Sequence, residues 1–176
     1  MASYNCATLQ SHELIECGAW RKGGISAIGI LEIDHTITSF TSAAQATAAI
    51  VAGDLKIIKN IKGQIPEPSA VENPNPVGCG SETILDSFDR TVTWEDSNVT
   101  DDNIDFYNSL NKRTTYLIVY HCEEAEITVI QSEVTFVARR MVPESNKERQ
   151  KFMVTAKWTA FDESPLFNAP TGIYTT

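Results

Sequence analysis

The chain has 176 residues, 42% hydrophobic and 21% charged, which fits one domain with a sizeable core and extended arms. Its formal net charge of -9 excludes a general nucleic-acid clamp, because phosphate binding needs a basic surface. Cys6, Cys17, Cys79 and Cys122 form no Cys-x-x-Cys pair, so neither a zinc knuckle nor a disulfide scaffold is expected.

Residues 1–24 mix polar residues and turn-formers up to Gly23-Gly24 and read as an arm that crosses the surface or reaches a neighbour. Their start lacks a charged region leading into an apolar one, so no signal peptide is expected. No apolar run is long enough to span a bilayer, and the expectation is a soluble protein made inside the cell. The Asn98-Val99-Thr100 sequon is then expected to carry no glycan. Residues 25–34 (ISAIGILEID) are apolar and β-branched, a buried strand despite Gly29. Residues 36–47, rich in Thr, Ser and Ala, fit either a strand-turn or a short helix. Residues 55–62 (LKIIKNIK) form a strand whose lysines suit a sheet edge or a partly wet face.

Residues 63–80 (GQIPEPSAVENPNPVGCG) form the main loop. Pro66, Pro68, Pro74 and Pro76 fix φ and remove backbone donors, so no regular helix or central strand is expected there. A loop this long in a compact domain is usually functional, and its prolines lower the entropy lost when a partner fixes it. These four prolines are candidate assembly contacts, set against the plainer reading of a tolerated surface excursion.

Residues 81–94 alternate, with Ile84, Phe88, Val92 and Trp94 at even positions of a strand. Residues 101–113 form a helix capped by Thr100, Asp101 or Asp102, with Ile104, Tyr107 and Leu110 on one face. Acidic residues at its start and Lys112 and Arg113 at its end suit the helix dipole. Residues 115–122 (TYLIVYHC) read as a buried central strand. Residues 126–161 form a long hairpin around a charged turn at 144–150, with Phe152, Val154, Ala156 and Trp158 on a dry face. Such a hairpin cannot bury itself and needs cover. Residues 162–176 form a second arm. The whole is mainly β: a β-sandwich or partly closed barrel over 25–161, one flanking helix, a long loop and two arms.

Nothing in the sequence supports catalysis, a cofactor or a metal. His121 and Cys122 are strand neighbours that point to opposite faces, and a core cysteine beside a half-buried histidine is the expected reading. His12, His35 and His121 are scattered, and the Gly78-Cys79-Gly80-Ser81 stretch lacks the strand and helix of a phosphate cradle. Charge is more informative. Glu82, Asp86, Asp89, Glu95 and Asp96 make the middle acidic, against Arg90. Arg139, Arg140, Lys147, Arg149, Lys151 and Lys157 make the hairpin locally basic. Beside the plain reading of a solvated surface, this split suggests head-to-tail contacts between identical chains, which build rings or filaments.

The order of parts resembles phage tail-tube proteins, in particular those of phages infecting Bacteroidetes-type hosts. It comprises a cysteine-containing arm ending in Gly23-Gly24-Ile25, a first strand, a Pro-rich loop, a helix (IDFYNSLNKR) leading into an apolar strand (TYLIVYHC), a long hairpin and a C-terminal arm. The resemblance implies a β-sandwich with a flanking helix, hexameric rings of identical subunits stacked into a tube, and arms that bridge to neighbours and to other tail or connector proteins. It also implies a virion protein assembled in the host cytoplasm, with DNA passing through unbound during ejection. An acidic lumen, for which Glu82, Asp86, Asp89, Glu95 and Asp96 are candidates, would repel phosphates and let DNA slide. The basic hairpin is then expected at a subunit contact, or offset by Glu133, Glu144 and Glu148, rather than facing the DNA. Alternatives are a head-tail connector or tail ring, a capsid decoration protein, and a glycan-binding β-sandwich. The last would show exposed aromatics, whereas Trp94 and Trp158 read as core.

Overall fold

The computed structural model describes residues 24–35, 37–75, 82–145 and 147–175. Eight strands and two helices follow in the order β1 (Ile25–Glu32), α1 (Ala43–Ala52), β2 (Leu55–Gln64), β3 (Ser69–Asn75), β4 (Glu82–Asp96), α2 (Asp101–Leu110), β5 (Thr114–His121), β6 (Glu126–Met141), β7 (Lys151–Ala160) and β8 (Leu166–Asn168). All pairings are antiparallel. The path β2-β1-β5-β6-β7-β4 returns to β2 and so closes into a ring.

Closure is narrow. Lys62, Gly63 and Gln64 pair with Glu95, Trp94 and Thr93, while Gly63 also pairs with Ile25 on its other side. A Cβ at Gly63 would stand 3.1 Å from the Thr93 carbonyl oxygen and 3.2 Å from Ile25 Cβ, so a bare residue lets three strands meet here. β6 makes the opposite corner. Its 16 residues pair with β5 over Glu126 to Thr135 and with β7 over Thr135 to Met141, with a register shift opposite Thr115 and Leu117.

Alternation fills the ring. Val92, Trp94, Leu117, Val119, Ile130, Val134, Phe136, Phe152, Val154, Ala156 and Trp158 point inward and are buried. Each large aliphatic side chain so buried contributes roughly 1.5–3 kcal/mol. α2 plugs one end with Tyr107 and Leu110. The Thr100 hydroxyl accepts from Asn103 N–H and caps α2, and Tyr107 packs on Phe152 with ring centroids 4.4 Å apart.

A second apolar layer covers the outside of β1, β2 and β5. Ala46 and Ala49 of α1 lie against Leu31, Leu55 and Ile118, joined by Tyr174 from the C-terminal segment. Ser42 caps α1 and Gly53, at φ 89°, ends it. The sequence left residues 36–47 between strand-turn and helix. The helix forms slightly later, over Ala43–Ala52, and gives the barrel a second flanking helix. α2 stops at Leu110, so Lys112 and Arg113 lie in the turn beyond it.

Two loop expectations change. The 63–80 segment, expected to be a long loop, carries the end of β2 and the edge strand β3, which pairs only with β4; the expected absence of a central strand holds among its described residues. Pro74 is tolerated because an edge strand leaves one side without ladder bonds. The C-terminal arm is no free extension. β8 pairs with β6, Tyr174 stacks on Tyr120 at 5.5 Å, and Lys59 Nζ donates to the Thr175 carbonyl. The N-terminal arm lies outside the described residues, apart from Gly24.

Candidate assembly surfaces

β2 and β3 lie along the same side of β4, interrupted by the Pro66–Pro68 link. β2 meets Thr93 to Glu95, and β3 meets Glu82 to Asp89. On the other side of β4, β7 covers only Phe88 to Asp96. Residues 82–87 of β4 and 71–75 of β3 therefore extend past the barrel as a two-stranded ribbon. Among the described residues, both of its outer edges lack strand partners. A lone two-stranded ribbon is marginal in water, and each edge presents unpaired N–H and C=O groups.

A second free edge is treated differently. Where β6 passes beyond β5, Ala138 N–H donates to Asn111 Oδ1 at 2.6 Å and the Ala138 carbonyl accepts from Asn111 Nδ2 at 3.0 Å. One side chain thus imitates a paired strand and occupies the edge.

The tip of the β6–β7 hairpin is basic and partly apolar. Arg139, Arg140, Lys147 and Arg149 are exposed there, beside exposed Val137, Met141, Val142 and Met153. Lys151, grouped with these cations from sequence, is half-buried and paired to Glu95 at 2.8 Å. Lys157 sits at the far end of β7, away from the tip.

The acidic group is dispersed. Asp86 is exposed on the ribbon, and Asp89 accepts a hydrogen bond from Thr159 Oγ1 at 3.0 Å. Glu95 is spent on Lys151. Asp96 leaves the surface group altogether. It is 5% exposed, and its carboxylate accepts from Tyr107 Oη–H and Asn98 N–H, both at 2.8 Å. It joins the end of β4 to α2. Burial first, then the bond to Asp96, raises the Tyr107 hydroxyl pKa far above its ordinary value. The side chains of Pro74 and Glu82, and Pro76 entirely, lie outside what is described. Pro66 is exposed and Pro68 half-buried in the link that ends β2.

At the foot of the barrel, opposite α2, Arg90 points inward in step with Val92 and Trp94. Its side chain is 8% exposed and pairs with Glu163 of the C-terminal segment at 2.7 Å. Beside it opens a cleft of about 630 Å³ bounded by Glu67, Asp89, Arg90, Glu133, Lys157 and Trp158, together with several hydroxyl side chains. The sequence reading named Asp89, Lys157 and, as an offset to the basic hairpin, Glu133, but missed Glu67 and the inward turn of Arg90. Parity along β4 carried the signal for Arg90 and Asp96. Only folding brings Glu67 to Glu133.

Among the described residues no group of histidine, cysteine or carboxylate side chains could hold a metal. His35 Nδ1 meets Asp54 at 2.9 Å, and His121 Nε2 meets Thr128 Oγ1 at 2.7 Å. Cys122, expected in the core, is exposed, because β5 ends one residue before it. No helix among the described residues is long and apolar enough to cross a membrane. No family model matches the sequence, and no curated protein matches it.

Proposed function

We propose that this chain is a virion structural protein, the subunit of a phage tail tube that assembles into stacked homo-oligomeric rings. The observation that carries the reading is the β3–β4 ribbon. It extends from a closed barrel with two open edges, whereas another free edge, at Ala138, is occupied by Asn111. A barrel that satisfies its own hydrogen bonds needs no partner, and a ribbon with open edges needs one. Because its two edges differ, β3 of one copy against β4 of the next is a heterologous contact, the kind that closes rings or propagates.

Charge supports the same reading. The basic hairpin tip and the carboxylates at the barrel foot lie at opposite ends of β7, so copies stacked head to tail bring unlike charges together. The net charge of -9 suits a conduit that DNA passes without sticking. Burial of Trp94 and Trp158 inside the barrel leaves a glycan-binding face without two of its candidate aromatic platforms.

Negative-stain microscopy across protein concentration and salt tests the proposal. A tail-tube subunit forms rings and hollow filaments. A connector ring stops at single rings, which would correct the tube assignment while keeping self-assembly. Dispersed monomers under every condition would remove both.

A further inference from the structure

We infer that the cleft at the barrel foot receives the β6–β7 turn of a second copy of this chain. The inference rests on the self-assembly reading and assigns it a specific contact. Glu67, Asp89 and Glu133 face the cleft from three elements: the link before β3, β4 and β6. Among the described residues, Glu67 and Glu133 are exposed and hold no ion pair. Arg90 is already neutralised by Glu163, which leaves Lys157 as the remaining cation of the wall.

The wall therefore presents an excess of carboxylates, and its occupant must bring cations.

The β6–β7 turn does so. From Arg139 to Lys151 the chain holds five cations against two carboxylates, in a molecule that is otherwise strongly negative. Lys147 and Arg149 are exposed and, among the described residues, form no ion pair. Val142 beside them exposes an apolar surface that a socket would cover. Turn and cleft lie at opposite ends of β7, about 20 Å apart at the rise of an extended strand, so one copy cannot fill its own cleft. A contact between two different surfaces propagates along a row of copies.

Charge reversal tests the inference, read as the protein concentration needed for assembly by sedimentation velocity and negative stain at low salt. Lys147→Glu with Arg149→Glu, or Glu67→Lys with Glu133→Lys, should each raise that concentration roughly tenfold or more. Unchanged thermal unfolding would show that both variants still fold. Mixing the two should restore assembly, because each turn then meets a cleft of opposite sign, and the fourfold variant should assemble alone. Wild-type-like assembly of the turn-reversed protein would overturn the contact while leaving the self-assembly reading intact. So would loss of assembly without rescue. A wild-type protein that never assembles would overturn that reading as well.

Discussion

The barrel and the ribbon share strand β4 and obey opposite rules. Within the barrel β4 has partners on both sides, Trp94 is 1% exposed, and Asn111 occupies a free position at Ala138. A few residues earlier the same β4 has one partner, and nothing among the described residues covers its other edge. The transition falls where β7 ends at Ala160 opposite Phe88. Stability resides in the barrel interior, and in the proposed function the ring contact resides on the ribbon. Changes inside the barrel should therefore alter folding, and changes to the ribbon should alter assembly alone.

The largest expected effect is in the barrel interior. Trp94→Ala removes a ring that packs edge-on against Phe136, and should cost about 3–5 kcal/mol in urea unfolding. Next comes the junction of β4 and α2. Tyr107→Phe leaves the buried Asp96 carboxylate without one of its two donors and should cost about 1–3 kcal/mol.

The same tyrosine sets a pH dependence. Burial raises the hydroxyl pKa of both Tyr107 and Tyr174, so the folded state holds these protons while the unfolded chain releases them above pH about 10. The stability they contribute is complete below that pH and falls as pH rises beyond it. Urea midpoints between pH 8 and 11 should decline, and the Tyr107→Phe, Tyr174→Phe double variant should decline less steeply. A parallel decline in both proteins would contradict the assignment.

Smaller effects mark the boundary. Asn111→Ala should cost about 1 kcal/mol, the order expected for its hydrogen bonds to Ala138, and the uncovered β6 edge should add a salt-insensitive dimer in sedimentation. Glu163→Gln should cost below about 1 kcal/mol, because Glu163 is 81% exposed although Arg90 is buried. A loss of several kcal/mol would instead make the C-terminal segment an essential part of the barrel foot.

How much of this was legible in the sequence depends on the range of the interaction. The period-two alternation of Phe152 to Trp158 is local, and it marked the buried face of β7 directly. Thr100 and the acidic turn after it marked α2. α1 was ambiguous because its Ala- and Thr-rich run has little contrast between faces, and the packing of Ala46 and Ala49 on β2 decides it. Barrel closure was not legible, since it depends on three residue pairs around Gly63 that lie far apart in the chain. Charge alone placed Asp96 on the surface, although its parity with Val92 and Trp94 already pointed inward. The cleft needed the fold, because Glu67 and Glu133 are separated in the chain by β3, β4, α2 and β5.

The most direct test separates ribbon from barrel. Residues 71–87 are replaced by an Asn-Gly turn, keeping the Ser69–Asp89 and Ala70–Phe88 pairs, and wild type and variant are compared by negative stain and urea unfolding. The account predicts rings or tubes for wild type, and dispersed particles of unchanged unfolding midpoint for the trimmed protein. Wild-type assemblies formed by the trimmed protein, or a trimmed barrel that no longer folds, would contradict it.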